Sequence, residues 1–318
     1  MDNTWYNAFM GRLSEKYPQK NQLAKELMDL LSIERETAYR RLRGEIMFPA
    51  NELVKIASEW NISLDEVIGI EPHQIVFKVR VLDYTKPSKK ELKNLQGVIH
   101  KYDALKNIPD LEYLEVCNRM PRSLDTGFPY LCKLQWLERK YQCAKEEELS
   151  FSQISFLPEV TDLLSKYYRC IKNLANVSYI WDYMLFDSVI CSIRYFHSID
   201  LITDEEKEHI RNDLSALIDY MLEVATKGCW PETGNKVNLY ISHINIDTNY
   251  SCYYSEASQK YRVRTLMKNE LTTENQTIVE DFRNWMQMKK QSSVLISETD
   301  EKSRIEFFKK QRQLVDEL

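Results

Sequence analysis

The amino-acid sequence predicts a mainly α-helical protein in two parts: a five-helix N-terminal domain and a larger α-rich domain that contains a small antiparallel β-meander. Glycine and proline are scarce, with 7 and 9 residues among 318, and this scarcity favours long helices over sheets with many tight turns. Apolar residues recur at helical spacing along most of the chain, whereas alternation of apolar and polar residues is concentrated between residues 236 and 267.

The composition indicates a globular chain that is not strongly basic. Hydrophobic residues make up 43%, and the net charge at pH 7 is -5, which excludes a protein coated in basic surface but allows a local basic patch. The seven cysteines are scattered, the N-terminus lacks a signal-peptide pattern, and charges interrupt the most apolar stretch, 179–196. We therefore expect a cytoplasmic protein with reduced thiols and no membrane span.

Five short helices are predicted in the N-terminal domain. Their ends are marked by Pro18, Gly44 and Pro49 and by the capping-box sequence Ser63-Leu64-Asp65-Glu66. The predicted helices cover residues 5–17, 21–31, 35–43, 49–60 and 63–69. The Glu71-Pro72 step then breaks the chain, which places the boundary between an N-terminal domain of residues 1–72 and a C-terminal domain of residues 73–318.

The second and third of these helices have the spacing of a helix-turn-helix. The second ends at Leu31, Ile33 is the inward apolar side chain of the turn, and Ala38 is small enough to let the two helices approach closely. Gly44, which adopts positive φ readily, ends the third helix. In motifs of this kind the second helix of the pair enters the major groove of DNA. The sequence therefore predicts that the helix at 35–43 faces DNA.

The charges of that helix agree with this role. Residues 35–43 contain four arginines and one glutamate, a local charge of +3 (4 − 1), and arginine forms bidentate hydrogen bonds with guanine and with phosphate. Glu36 has two interpretations, as an acceptor from a cytosine amine or as an anchor for a neighbouring arginine. We predict base-edge contacts from Arg35, Glu36, Tyr39 and Arg40, and phosphate contacts from Lys20, Lys25 and Arg43.

The segments LMDLLSIERETAYRRLRGE and ELVKIASEWNISLDEVIG resemble the Cro/C1-type (lambda-repressor-like, XRE) helix-turn-helix family. The segment AYRRLRGE is similar to the corresponding segment in a group of regulators from Bacteroidetes that carry a long C-terminal region. The resemblance covers residues 4–70, and it implies a five-helix domain with sequence-specific DNA binding. Two features depart from the family pattern: Met28 stands where a small alanine is usual, and Glu34 and Glu36 are unusual acids at a DNA-facing turn.

The C-terminal domain is predicted from a series of helical patterns and one β-rich segment. Residues 73–82 alternate apolar and polar side chains and are compatible with either a strand or an extended linker. Three β-rich runs separated by turn residues predict an antiparallel meander at 237–267. Helices are predicted at 87–106, 130–141, 157–176, 178–197, 204–227, 274–290 and 300–318.

Candidate sites in the C-terminal domain are less specific. The aromatic residues between Tyr179 and Phe196, placed on a helix, fit either the wall of an effector pocket or, more simply, a buried core helix. His243 and Cys252 would face each other across the first hairpin of the meander, but two ligands do not make a zinc site. The nucleophile-elbow, H-E-x-x-H and kinase motifs are absent from the sequence, so we expect no metal, no cofactor and no catalytic activity.

The expected function is that of a sequence-specific DNA-binding transcriptional regulator. Its expected partners are double-stranded DNA, a second copy of the chain, and an unknown small-molecule or peptide effector. A homodimer is expected because helix-turn-helix proteins usually read two half-sites about one helical turn apart. The C-terminal domain then serves dimerisation, signal sensing or both. The alternative is a ligand- or peptide-responsive sensor whose helix-turn-helix serves mainly protein contacts.

Overall fold

The structure is a computed structural model, which describes residues 4–64, 67, 75–80, 89–143, 149–265 and 269–318. The chain divides into two compact units, Met1–Val76 and Phe77–Leu318. Each unit has a hydrophobic core of its own, which is the property that defines a domain.

The first unit is helical throughout its described elements. These are α1 (Thr4–Lys16), α2 (Lys20–Leu31), α3 (Arg35–Leu42) and α4 (Ala50–Trp60). The fifth helix predicted at 63–69 falls mostly outside the described residues. Side chains at helical spacing, among them Phe9, Leu13, Leu27 and Ile56, are fully buried together and form the core.

The second unit mixes helices with strands. Its helices are α5 (Lys89–Leu105), α6 (Arg122–Asp125), α7 (Pro129–Cys143), α8 (Pro158–Lys172), α9 (Leu185–Ser198), α10 (Asp204–Lys227), α11 (Gln276–Gln291) and α12 (Glu301–Asp316). Its strands are β1 (Lys78–Arg80), β2 (Glu112–Cys117), β3 (Asn176–Asp182), β4 (Lys236–Ser242), β5 (Tyr250–Tyr254), β6 (Gln259–Thr265), β7 (Asn269–Thr273) and β8 (Val294–Leu295).

Within the described part of the chain, eight strands form one sheet in the order β1-β7-β6-β5-β2-β3-β4-β8. The neighbours β2, β3 and β4 are parallel, with Tyr113 opposite Val177 and Val177 opposite Val237. Every other neighbouring pair in this order is antiparallel. Helices connect β2 to β3 and β3 to β4, since parallel neighbours need long crossover connections.

The predicted fold class, mainly α with a small meander, is therefore wrong for the second unit. The strands β5, β6 and β7 do form an antiparallel meander, but β4 is separated from β5 by β2 and β3 and pairs with β3 and β8. The predicted hairpin between β4 and β5 does not form. Consequently His243, directly after β4, and Cys252, on β5, do not face each other across a hairpin.

The burial of the central strands explains this error. Tyr179 and Trp181 of β3 pack into the larger core, to which α5, α7, α8, α9, α10 and α12 contribute, whereas Ile180 packs into a second cluster with α11 on the opposite face. A strand that is buried on both faces carries a continuous apolar run, and such a run has no alternation to distinguish it from a buried helix. The helix predicted at 178–197 is thus the strand β3 followed by α9.

Local helix signals are more informative than strand signals in this chain. Thr203 and Glu206 form the predicted capping box at the start of α10, with the Glu206 backbone N–H donating to Thr203 Oγ1 at 3.2 Å and the Thr203 N–H donating to Glu206 Oε2 at 2.9 Å. Gly44, directly after the C-cap of α3, has a φ of 75°. Both signals depend only on neighbours in sequence, which is why they can be identified without the tertiary fold.

Candidate DNA-binding surface

The helices α2 and α3 are joined by a short turn. α2 ends at Leu31, Ser32 adopts a left-handed conformation with φ 54°, and α3 begins at Arg35. Ile33 in the turn is half-buried, and Ala38 on α3 is fully buried. A methyl side chain at the contact between two helices lets their backbones lie close together, as the sequence predicts for this position.

The outward face of α3 carries the predicted DNA-contacting residues. Arg35, Glu36, Arg40 and Arg43 are exposed, and Tyr39 is half-buried. Their spacing of four residues from Arg35 to Tyr39 and from Tyr39 to Arg43 places them on one helical face. Lys20 and Lys25 are exposed on α2. We define these seven residues (Lys20, Lys25, Arg35, Glu36, Tyr39, Arg40 and Arg43) as the α3 surface.

Two arginines of the α3 surface are paired with carboxylates. Arg43 contacts Glu36 at 3.0 Å and Glu45 at 2.5 Å, and Arg40 lies 3.4 Å from Glu45. The hydrogen bond from Arg43 lowers the pKa of Glu45, and the hydrogen bonds to Glu45 and Glu36 raise the pKa of Arg43. Of the two interpretations of Glu36, the structure shows the second, in which this acid holds a neighbouring arginine.

Tyr39 connects the two helices at the same surface. Its hydroxyl donates to Asn21 Oδ1 at 2.8 Å, which ties α3 to the first turn of α2. The guanidinium of Arg35 lies 5.6 Å from the centre of the Tyr39 ring, within the range of a cation–π contact. Arg35 is therefore positioned at the start of α3 by an aromatic ring and carries no carboxylate partner among the described residues.

Arg41, the fourth arginine of the segment 35–43, points inward. It is only 8% exposed, and its Nη2 donates to Glu52 of α4 at 2.9 Å, while its Nη1 donates to the Met47 carbonyl. The guanidinium also lies 5.2 Å from the Phe48 ring. Arg41 therefore holds the loop between α3 and α4, and only three of the four arginines counted in the sequence contribute charge to the outward face.

A second candidate site lies in the second unit, around the buried lysine Lys172. A cavity of 560 Å³ is lined by Tyr168, Lys172 and Glu232 together with Gly127, Ser165, Arg169, Asn173 and Thr233. The Lys172 ammonium lies 2.7 Å from Glu232 Oε1, 3.8 Å from the Tyr168 ring centre and 4.4 Å from that of Tyr220. Burial lowers the pKa of Lys172. Because Glu232 and two rings already satisfy its charge, the arrangement is explained as a structural ion pair.

Side chains that ligate metals are not clustered in the described ranges. No group of three or more histidine, cysteine, aspartate or glutamate side chains there is arranged to hold a metal ion. Among the same residues, no helix combines the length and the apolar character needed to cross a membrane.

The chain was compared with known proteins in three ways, and none of the comparisons found a similar protein. A scan against protein-family models found no match, and searches of characterised proteins and of solved structures found none either. Any proposal about function therefore rests on the residues and geometry of the α3 surface.

Proposed function

We propose that the chain is a DNA-binding transcriptional regulator in which α2 and α3 act as a helix-turn-helix and α3 enters the major groove. The observation that carries this proposal is the division of α3 into two faces. Arg35, Tyr39, Arg40 and Arg43 lie outward, whereas Ala38 and Arg41 are buried against the rest of the unit. A short helix with a cationic outer face and a close contact to the preceding helix has the features needed to lie in the groove.

The residues have distinct proposed roles. Arg35, Glu36, Tyr39 and Arg40 lie towards base edges, and Lys20, Lys25 and Arg43 contact phosphates. In the free chain, Glu36 and Glu45 hold Arg43. When DNA binds, Arg43 exchanges these carboxylate partners for phosphate. An anion that cannot also contact the rest of the α3 surface must compete with the carboxylates for Arg43 and therefore binds weakly.

The second unit has a supporting role in this proposal. We assign to it the formation of a homodimer, the sensing of an effector, or both, in a cytoplasmic regulator. A dimer places two copies of α3 at successive half-sites, as this mode of recognition requires.

The salt dependence of DNA binding tests the proposal. With three phosphate contacts per chain, the logarithm of the DNA-binding constant should fall linearly with the logarithm of the salt concentration. The predicted slope is about −2.7 for one copy and about −5 for a dimer. A variant with both Lys20→Ala and Lys25→Ala should lose about 1.8 of that slope per chain, because two contacts are removed. Binding of duplex DNA by the full chain, measured at several salt concentrations by fluorescence anisotropy, provides the slopes. A slope near zero would show that phosphate contacts do not drive binding.

A further inference from the structure

The cavity beside Lys172 is a feature that the structural ion pair alone does not explain. Its volume of 560 Å³ lies within the range of small-molecule sites, roughly 300–1,000 Å³. Five of its lining residues are spaced as i, i+3, i+4, i+7 and i+8 on α8 and its C-cap, and so share one helical face: Ser165, Tyr168, Arg169, Lys172 and Asn173. A polar cavity of this size on one helical face is suited to a small polar ligand.

The wall of the cavity is fixed by contacts of the Tyr168 ring. The centre of this ring lies 3.8 Å from the Lys172 ammonium, within the range of a cation–π contact. A Cβ added at Gly127 would lie 2.5 Å from Cε2 of the same ring, so the ring keeps this position only because residue 127 has no side chain. The cavity is therefore shaped by the fold itself, and a ligand does not have to order its wall.

Unused hydrogen-bond donors lie along the α8 side of the cavity. Arg169 is exposed, its Nε donates to the Ser165 carbonyl at 3.3 Å, and its guanidinium makes no ion pair within the described ranges. The Asn173 amide and the Ser165 hydroxyl have no hydrogen-bond partner there either. A guanidinium beside neutral donors is an arrangement that binds a carboxylate, since charge-assisted hydrogen bonds are short and strong.

Glu232 supplies a carboxylate to the same cavity. Its Oε1 accepts from the Lys172 ammonium at 2.7 Å, and its Oε2 accepts from the Tyr220 hydroxyl at 2.9 Å. Burial opposes ionisation, but the hydrogen bonds from Lys172 and Tyr220 outweigh it and lower the pKa of Glu232. Because the Glu232 side chain is still 51% exposed, this fixed carboxylate remains accessible to a further donor.

We propose that this cavity binds a free amino acid, a small molecule that carries both a carboxylate and an ammonium group. The ligand carboxylate accepts hydrogen bonds from Arg169 and Asn173, and the ligand ammonium donates to Glu232. A simple anion would be repelled by Glu232, and a simple cation would be repelled by Arg169 and Lys172, since like charges brought close together are costly. A zwitterion matches both signs of charge at once.

The amino acid would be the effector that the proposed regulator function assigns to the second unit, and in this role the inference rests on that function. The binding itself does not, because every lining residue of the cavity belongs to the second unit. Amino-acid binding is therefore measured without DNA. Failure of the chain to bind DNA would leave this measurement unaffected, and failure to bind an amino acid would leave the role of α3 unaffected, so the two proposals can be refuted separately.

The melting temperature of the full chain in the presence of free amino acids tests the proposal. The standard amino acids are added one at a time, and sodium acetate and methylammonium chloride serve as separate controls at the same ionic strength. At least one amino acid should raise the melting temperature saturably, because a ligand that binds only the folded state stabilises it. No rise with any amino acid, or an equal rise with acetate or methylammonium alone, would overturn the proposal.

Derivatives of the amino acid that binds test each half of the recognition. The N-acetyl derivative lacks the ammonium assigned to Glu232, and the carboxamide lacks the carboxylate assigned to Arg169 and Asn173. Each should bind with an apparent Kd raised roughly tenfold or more, because a charge-assisted hydrogen bond is lost. If either derivative binds as tightly as the amino acid, the corresponding contact does not exist and the zwitterion assignment is refuted.

Matched variants of α8 separate the cavity from a general effect of charge. Arg169→Gln removes the guanidinium assigned to the ligand carboxylate and should raise the apparent Kd roughly tenfold or more. Lys166→Gln makes the same change of charge on the same helix, but Lys166 does not line the cavity and is paired with Asp162 at 2.6 Å, so this variant should bind normally. Both side chains are exposed, and both variants should therefore fold. Equal affinities of the two variants would refute the site.

Discussion

Adjacent arginines on α3 have opposite environments. Arg40 and Arg43 are exposed and paired with Glu45, whereas Arg41 is buried and paired with Glu52 of α4. The sequence shows only that arginines are concentrated here. Helical periodicity would have identified Arg41 as the inward residue, since it lies three positions after the buried Ala38.

The carboxylates beside α3 are expected to reduce its affinity for DNA. Glu45→Gln removes the charge that competes with phosphate for Arg40 and Arg43, and so should tighten binding to non-specific DNA roughly two- to fivefold, because exposed ion pairs are weak. The salt slope should steepen by up to about 0.9. Fluorescence anisotropy with a random-sequence duplex measures both quantities.

Glu59→Gln is the matched control for this change, since Glu59 is an exposed glutamate on α4 with the same change of charge. It should alter the affinity much less than Glu45→Gln. Equal effects of the two variants would mean that only the net charge of the unit matters.

At the scale of elements, most of the long helices could be predicted from the sequence, whereas the central part of the sheet could not. The prediction for α10 has the observed bounds because its capping box and Gly228 are local signals. The strand β2 is not predicted because it is buried on both faces. Tyr113 and Cys117 are apolar on one face and Leu114 and Val116 on the other, so that the segment lacks the regular alternation of a half-buried strand. The parallel pairing of β3 with β4 joins residues about sixty positions apart, which no local pattern specifies.

The two candidate sites, the α3 surface and the site around Lys172, also differ in how far the sequence predicts them. The α3 surface could be predicted because a helix places its contacting residues at fixed local spacing. The ion pair of Lys172 with Glu232 could not, since the two residues lie 60 positions apart in sequence and only the tertiary fold brings them together.

The end of α3 offers a test of local backbone strain. Gly44 has a φ of 75°, and no atom lies within 4 Å of the position that a Cβ would take, so Gly44→Ala should destabilise the first unit by about 1 kcal/mol through conformation alone. Gly11 lies inside α1 with equally open surroundings, and Gly11→Ala should stabilise the unit by about 0.5–1 kcal/mol. Hydrogen exchange of the core amides of α2 and α4 measures both changes. Shifts of the same sign would contradict the assignment of strain to Gly44.

At the scale of the whole molecule, the buried phenols of the second unit predict its behaviour at high pH. Burial raises the pKa of Tyr113, Tyr167 and Tyr179 above the ordinary value. The folded state then holds these protons more tightly than the unfolded state. The stability they contribute is complete below about pH 10 and is lost as the pH rises towards their folded-state pKa values, by up to about 1.4 kcal/mol per pH unit for each group.

Urea unfolding of the second unit at pH 8 and pH 11 measures this loss. Tyr167→Phe removes one titrating group and should reduce the loss of unfolding free energy between pH 8 and pH 11. At pH 8 the substitution should change the unfolding free energy less than it does at pH 11. If the unsubstituted chain and Tyr167→Phe lose equal stability, ionisation of this phenol does not contribute to alkaline unfolding.

The selection of DNA sites by the full chain tests the central claim most directly. Genomic fragments are enriched on the unsubstituted chain, on a variant with Arg35→Ala and Arg40→Ala, and on Arg12→Ala, which removes an exposed arginine of α1 paired with Glu15. We predict a defined site for the unsubstituted chain and for Arg12→Ala, and loss of that site preference in the double variant, because base contacts specify sequence. Retention of the same preferred site by the double variant would contradict the assignment of α3 as the recognition helix.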